Sequence, residues 1–209
     1  MEEVKFTIKK GFIAARTLEL IINDDFISFD NLIPGTKTII RRADIAGYRF
    51  GMKWIELDLA FGREYFIYIQ DKDNRSHKIN FRTYFGRKTK FHDEQYSAIT
   101  EALWNFYFDA IVTSFLDKYD NGEEFGIGNV KLSTEGIKIR TSKTFSFGSA
   151  IIPWEDIRTR SYYSNFSIYS VKDPANINAG YSYANDWNTT VLYSVVRTIL
   201  RDKNIESYS

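Results

Sequence analysis

Two histidines, the acidic pairs Asp24-Asp25 and Glu123-Glu124 and one basic run are the residues in this 209-residue chain whose types could build a chemical site. His77 sits in an alternating segment and His92 just ahead of a helical one. Neither stands at helical spacing from the other or in an HExxH pattern, so the sequence contains no paired-histidine metal site of the kind that activates water. Asp24-Asp25 and Glu123-Glu124 lack the alternating ligand spacing of a calcium loop and read as turn acids. The absence of cysteine excludes disulfides, thiolate zinc sites and a thiol nucleophile. FGREYF and FGIG are not phosphate-cradling glycine loops. The expectation is a protein that is not an enzyme and has no catalytic residue, no cofactor and no metal.

Binding chemistry is better represented. FRTYFGRKTKFH (81–92) gathers Arg82, Arg87, Lys88 and Lys90 with no acid, interleaved with Tyr84, Phe85 and Phe91. Such a run suits an anionic membrane surface or a phospholipid headgroup, and equally a solvated loop. Stacking aromatics beside charge also suit single-stranded nucleic acid, but no RNA-recognition signature accompanies them, so a nucleic-acid partner is not expected. RSYYSNFSIYSVKDPANINAGYSYANDW (160–187) is rich in Tyr, Ser and Asn. Tyr162, Tyr169, Tyr181 and Tyr183 are therefore candidates for a protein contact, since tyrosine offers rigid amphipathic area at low entropic cost; good strand formation explains them as well. With 28 basic and 27 acidic residues, no whole-chain field selects a partner.

Elements must position these groups. From residue 4 to about 82 apolar residues alternate, with turns at short intervals, predicting a meander of six or seven antiparallel strands. LELII and FISF flank Asn23-Asp24-Asp25, which suits a tight hairpin. At Asp93, a good N-cap, the period changes to that of a helix. Tyr96, Ile99, Leu103, Phe106 and Ala110 form one apolar row, and Trp104, Tyr107, Phe108, Ile111, Val112 and Phe115 a second. A helix apolar on two sides is buried on two sides, so Trp104 and Phe108 are candidates for a contact with a second domain or a second copy. Residues 102–116 are too short and too polar to span a membrane, and the acidic start MEEVKFTIKK is unlike a signal peptide. A cytoplasmic protein is expected, or one peripheral to the inner face of the membrane.

The unit is then written again. Shifted by 110 residues, LIINDDFISF (20–29) lies on VKLSTEGIKI (130–139), placing Leu20, Ile22, Ile27 and Phe29 on Val130, Leu132, Ile137 and Ile139. At a shift of 112, IIRRADI (39–45) meets IIPWEDI (151–157), with Trp154 filling the second core. Leu192, Val195, Val196, Ile199 and Leu200 predict a closing helix capped by Asn185 or Asp186. The expected domains are 1–119 and a smaller 120–209 of about five strands, with KYDNGEEFGIG (118–128) as linker.

A hairpin start, an I-I-x-x-x-D-I third strand and one closing helix resemble bacterial pleckstrin-homology-like (PH-like) domains, in which a pattern similar to IPWEDI is common. The resemblance implies an α+β, mainly β fold of two tandem PH-like β-sandwich or barrel domains, each closed by a C-terminal helix. It implies a recognition scaffold rather than an enzyme, binding a protein partner or itself, or alternatively a peripheral adaptor on anionic membranes through residues 82–90. Lipid-binding PH domains resemble one another in basic residues around the first hairpin loop. Here that loop is Asn23-Asp24-Asp25 in one copy and Ser133-Thr134-Glu135-Gly136 in the other, which puts the usual headgroup site in doubt.

Overall fold

Asn23 closes the first hairpin with its own side chain: its Oδ1 accepts the backbone N–H groups of Asp25 and Phe26, each at 2.9 Å. This is the local bond that makes asparagine a turn residue. In the computed structural model, which describes residues 3–10, 16–31, 33–57, 60–86, 88–143 and 146–206, the hairpin joins β2 (Arg16–Asn23) to β3 (Phe26–Asp30). With β1 (Glu3–Lys10) and β4 (Lys37–Arg41) they form an antiparallel sheet in the order β1-β2-β3-β4. A 3₁₀ turn, Arg42–Asp44, then moves the chain into a second sheet of β5 (Ile45–Leu57), β6 (Ala60–Asp71) and β7 (Ser76–Tyr84). IIRRADI is thus a corner between sheets, whereas the alternation had read through it as one strand.

Helix α1 (Thr89–Leu103) passes through one π-helical turn, Trp104–Phe108, into α2 (Asp109–Asp120). It begins four residues before Asp93, with left-handed Lys88 at the N-cap (φ 56°). Asp93 is instead occupied by Tyr65, whose hydroxyl donates to its Oδ1 at 2.6 Å. The chain divides into two units, Met1–Asp109 and Ala110–Ser209. In the first, Leu20, Ile22, Ile27, Tyr65, Ile67, Phe81, Ile99 and Leu103 are buried, and Tyr48 stacks on Phe108.

The second unit holds α2, then β8 (Phe125–Ile127), β9 (Val130–Leu132), β10 (Gly136–Lys143) and β11 (Ser146–Pro153) in a four-stranded sheet. A 3₁₀ turn, Trp154–Asp156, leads to β12 (Ile157–Ser161), β13 (Asn165–Ser170) and β14 (Asn178–Ser182), and the chain ends in α3 (Thr189–Asp202). Four strands, a 3₁₀ corner, three strands and a helix occur in that order in both units, in the second after α2. The expected five strands are seven; one of the additions is β8, three residues long and hidden in the supposed linker. Of the supposed linker, Lys118–Asp120 close α2 and Phe125 and Ile127 are buried in β8, leaving 121–124 and Gly128 outside helix and strand.

Paired residues repeat at the spacing read from sequence. Ile22 opposes Ile27 as Leu132 opposes Ile137, and Ile27 opposes Ile40 as Ile137 opposes Ile152. At the corners, Asp44 C=O accepts the N–H of Lys72 and Asp156 C=O that of Val171, both at 2.9 Å. Trp154 is buried and donates Nε1–H to Ser133 C=O at 2.9 Å. Helix α3 is capped at Asn188, later than expected, because Asp186 instead accepts the N–H of Ser182 at 2.8 Å. Among the described residues all four sheets are open in strand order, so neither unit is a closed barrel. Strand outweighs helix and every pairing is antiparallel, as a mainly β fold requires.

Candidate functional site

Strands β5 and β6 have 13 and 12 residues, and pair from Ile45↔Asp71 out to Leu57↔Ala60. Alternation puts Tyr65, Ile67 and Ile69 on the core side, with Arg63 and Phe61 further along that same face. The core stops at Tyr65 and the strands do not. Trp54 (66% exposed), Phe61 (58%), Phe85 (43%) and Phe91 (48%) are consequently left in water at one end of the first unit. Phe61 and Phe85 meet edge to face, centroids 5.7 Å apart, and Phe85 N–H donates to Phe61 C=O at 2.8 Å. Phe85 is held left-handed at φ 54°, a strained conformation for a bulky side chain, followed by Gly86 at φ 67°.

Cations surround these rings. The Arg63 guanidinium carbon lies 4.7 Å from the centre of the Trp54 ring, and Nη1 lies 3.4 Å from Asp93 Oδ2. Burial, reinforced by the bond to Asp93, pushes the Tyr65 hydroxyl up to about 12. Of the expected basic loop, Arg82 bonds Glu64 at 3.2 Å, Lys90 faces Glu94 at 3.9 Å, and Lys88 makes no ion pair among the described residues. Arg87 lies outside the described residues. Exposed Glu56 shares this end, so local positive excess is small and the apolar rings dominate its character.

On the opposite face of the same sheet, Glu64 opposes Lys53 on β5 and Arg82 on β7. Its side chain is 1% exposed. Oε2 binds Lys53 Nζ at 2.9 Å, while Oε1 accepts Lys78 Nζ at 3.0 Å, Asn80 Nδ2 at 2.6 Å and Arg82 Nη2 at 3.2 Å. Burial alone would raise this carboxyl; the four donors outweigh it and hold it at about 2.

The remaining candidates distribute differently. Phe108 and Tyr181 are core residues, Tyr181 with its ring 5.4 Å from Phe166, so neither is presented for an outside contact. Burial raises the Tyr181 hydroxyl. Trp104, Tyr169 and Tyr183 are half-buried, the last stacked on Phe166 at 6.3 Å. Tyr162 and its neighbour Tyr163 are exposed, and Arg160 sits 5.5 Å from the Tyr162 ring. These two tyrosines occupy the β12–β13 turn, the position in the second unit that the Trp54–Phe61 hairpin occupies in the first.

His77 bonds Asp71 at 2.9 Å, and Asp71 Oδ1 accepts the N–H groups of Asp73 and Arg75, so the pair clamps a turn. His92 is buried among Tyr65, Phe81 and Phe91, and burial, followed by the charge of Lys88, lowers its pKa. Among the described residues no group of three His, Asp or Glu side chains is placed to hold a metal ion, and no helix is long and apolar enough to cross a membrane. No family model matches the chain, and no curated protein does either.

Proposed function

We propose that the chain is a non-enzymatic recognition protein of two PH-like units that docks on an anionic membrane surface through the overhanging end of its first unit. The observation that carries this reading is the set of four solvent-exposed aromatic rings, Trp54, Phe61, Phe85 and Phe91, at the end of β5–β7 with Arg63, Lys88 and Lys90 beside them. Aromatic and basic side chains together suit the bilayer interface, where rings sit at headgroup level and cations meet anionic lipid. Support for the PH-like assignment is the repeated order of four strands, 3₁₀ corner, three strands and helix.

Self-association through the helix loses its motive. Ile99, Leu103, Tyr107 and Phe108 are buried in the first unit; in the second, Val112 is buried and Phe115 stacks on Phe125 at 5.3 Å. A protein partner for the second unit retains one specific observation, the exposed Tyr162 and Tyr163 beside Arg160.

Co-sedimentation with neutral and anionic vesicles tests the docking reading. Binding to anionic vesicles is expected, weakened by salt, reduced in Lys88→Glu/Lys90→Glu and abolished in Trp54→Ser/Phe61→Ser/Phe85→Ser. Each ring buries up to about 1.5–3 kcal/mol of apolar surface energy, against at most about 1 kcal/mol per cation. No binding at low salt refutes it.

A further inference from the structure

A buried carboxylate needs one cation to be neutral, and Glu64 has three. Lys53, Lys78 and Arg82 converge on it from β5 and β7, although each repels the other two, and Asn80 adds a fourth donor. Two positive charges therefore remain in excess at one point of the outer sheet face. The cations keep N–H groups turned to water: Lys53 and Arg82 are about half-exposed or more, Lys78 about a third. Arg49 extends the array, its guanidinium carbon 4.6 Å from the Tyr68 ring that Lys78 also approaches at 5.3 Å. Across the cavity beside Lys78 and Asn80 stand two carboxylates, Glu19 and Asp30, which share Lys37 at 2.9 and 3.6 Å.

We infer that this face is a site for a phosphate-type oxyanion of two or more charges, in which Glu64 is a positioning residue that holds Lys53, Lys78 and Arg82 around the ligand. A dianion matches the excess of two charges, and ammonium and guanidinium donors on neighbouring strands suit a tetrahedral oxyanion with several acceptor oxygens. The inference deepens the docking reading by naming a headgroup chemistry. It draws on the face of the sheet opposite the exposed rings, so the two can fail separately. A phosphorylated lipid headgroup and a free phosphomonoester share this chemistry.

The test titrates the full chain with inorganic phosphate and glycerol phosphate by NMR, and with vesicles of phosphatidic acid or phosphatidylglycerol at matched surface charge. Wild type is expected to bind both soluble probes, with shifts centred on β5–β7. Lys53→Gln/Lys78→Gln, which leaves Glu64 paired to Arg82 and Asn80, should weaken binding at least tenfold, while Lys131→Gln, in the second unit, leaves it unchanged. A preference for phosphatidic acid assigns the lipid source; equal vesicle binding with intact soluble binding assigns the free phosphomonoester. In folded Glu64→Gln, positioning predicts weaker binding despite the added positive charge, and tighter binding would overturn the role of Glu64. Soluble probes that do not bind, or bind the double variant as well as wild type, overturn the site even if vesicles bind through Trp54 and Phe61.

Discussion

Replacing Glu64 by Gln changes one charge and almost no volume, and the structure sets the size of the effect. The folded carboxyl titrates at about 2 and an ordinary one at 4.5. At about 1.4 kcal/mol per pH unit, the gap is worth on the order of 3 kcal/mol. Because the folded pKa is depressed, this stability is complete above pH 4.5 and is lost as pH falls towards 2, where the unfolded chain has already taken up its proton. The amide keeps an acceptor for Lys78, Asn80 and Arg82 but turns N–H donors towards Lys53, whose ammonium sits 2.9 Å from Oε2. Urea unfolding followed by circular dichroism from pH 2 to 7 should show the variant less stable by about 3 kcal/mol at neutral pH, converging on wild type as pH falls. Glu3 and Asp71, also depressed, titrate in both proteins and cancel in the difference. Two stability curves parallel across this window would mean that Glu64 is not held by its cations, and the reasoning would fail.

Backbone approach gives a second test. A Cβ on Gly62 would lie 1.9 Å from Thr83 O, and one on Gly136 2.1 Å from Ile152 O, so Gly62→Ala and Gly136→Ala should each cost about 2–3 kcal/mol in thermal unfolding. Phe108→Ala, which removes the ring stacked on Tyr48, should destabilise by about 3–5 kcal/mol; a loss below 1 kcal/mol would show that the site refills. His92 should titrate below its ordinary 6.5 by NMR, and its contribution to stability should be complete above pH 6.5 and decline as pH falls through it, since the unfolded chain protonates first. A pKa at or above 6.5 would contradict its burial.

The frame was legible because its residues answer to one demand. Leu20, Ile22, Ile27 and their counterparts Val130, Leu132 and Ile137 must be apolar at alternate positions to face a core, and the pairing of Ile22 with Ile27 and Leu132 with Ile137 follows. The candidate site was only partly legible, since Trp54 and Phe61 obey the same alternation. Nothing in sequence says that the core has ended before them; that depends on where α1 begins, and α1 begins at Thr89 through a left-handed Lys88 rather than at Asp93. Glu64 was hidden for a related reason. In REYF it is an ordinary polar residue on a half-wet strand, and its partners Lys53, Lys78 and Arg82 become neighbours only through cross-strand register. Tyr181 was misplaced because its partner Phe166 lies on the adjoining strand, opposite it in register.

The two three-stranded sheets have strands of 13, 12 and 9 residues in one unit and 5, 6 and 5 in the other. At about 3.3 Å per residue, β5 is about 40 Å long and β12 less than half that. The short copy shows how little strand the architecture requires. Of the strand beyond that length in the first unit, Tyr65 and Phe81 still pack in the core, whereas Trp54 and Phe61 past them stand in water and can be rewritten while the frame beneath keeps its register. The shorter sheet thus serves as an internal control: it displays the minimum, and the exposed surplus in the longer one marks where new surface can be tried without risk to the fold.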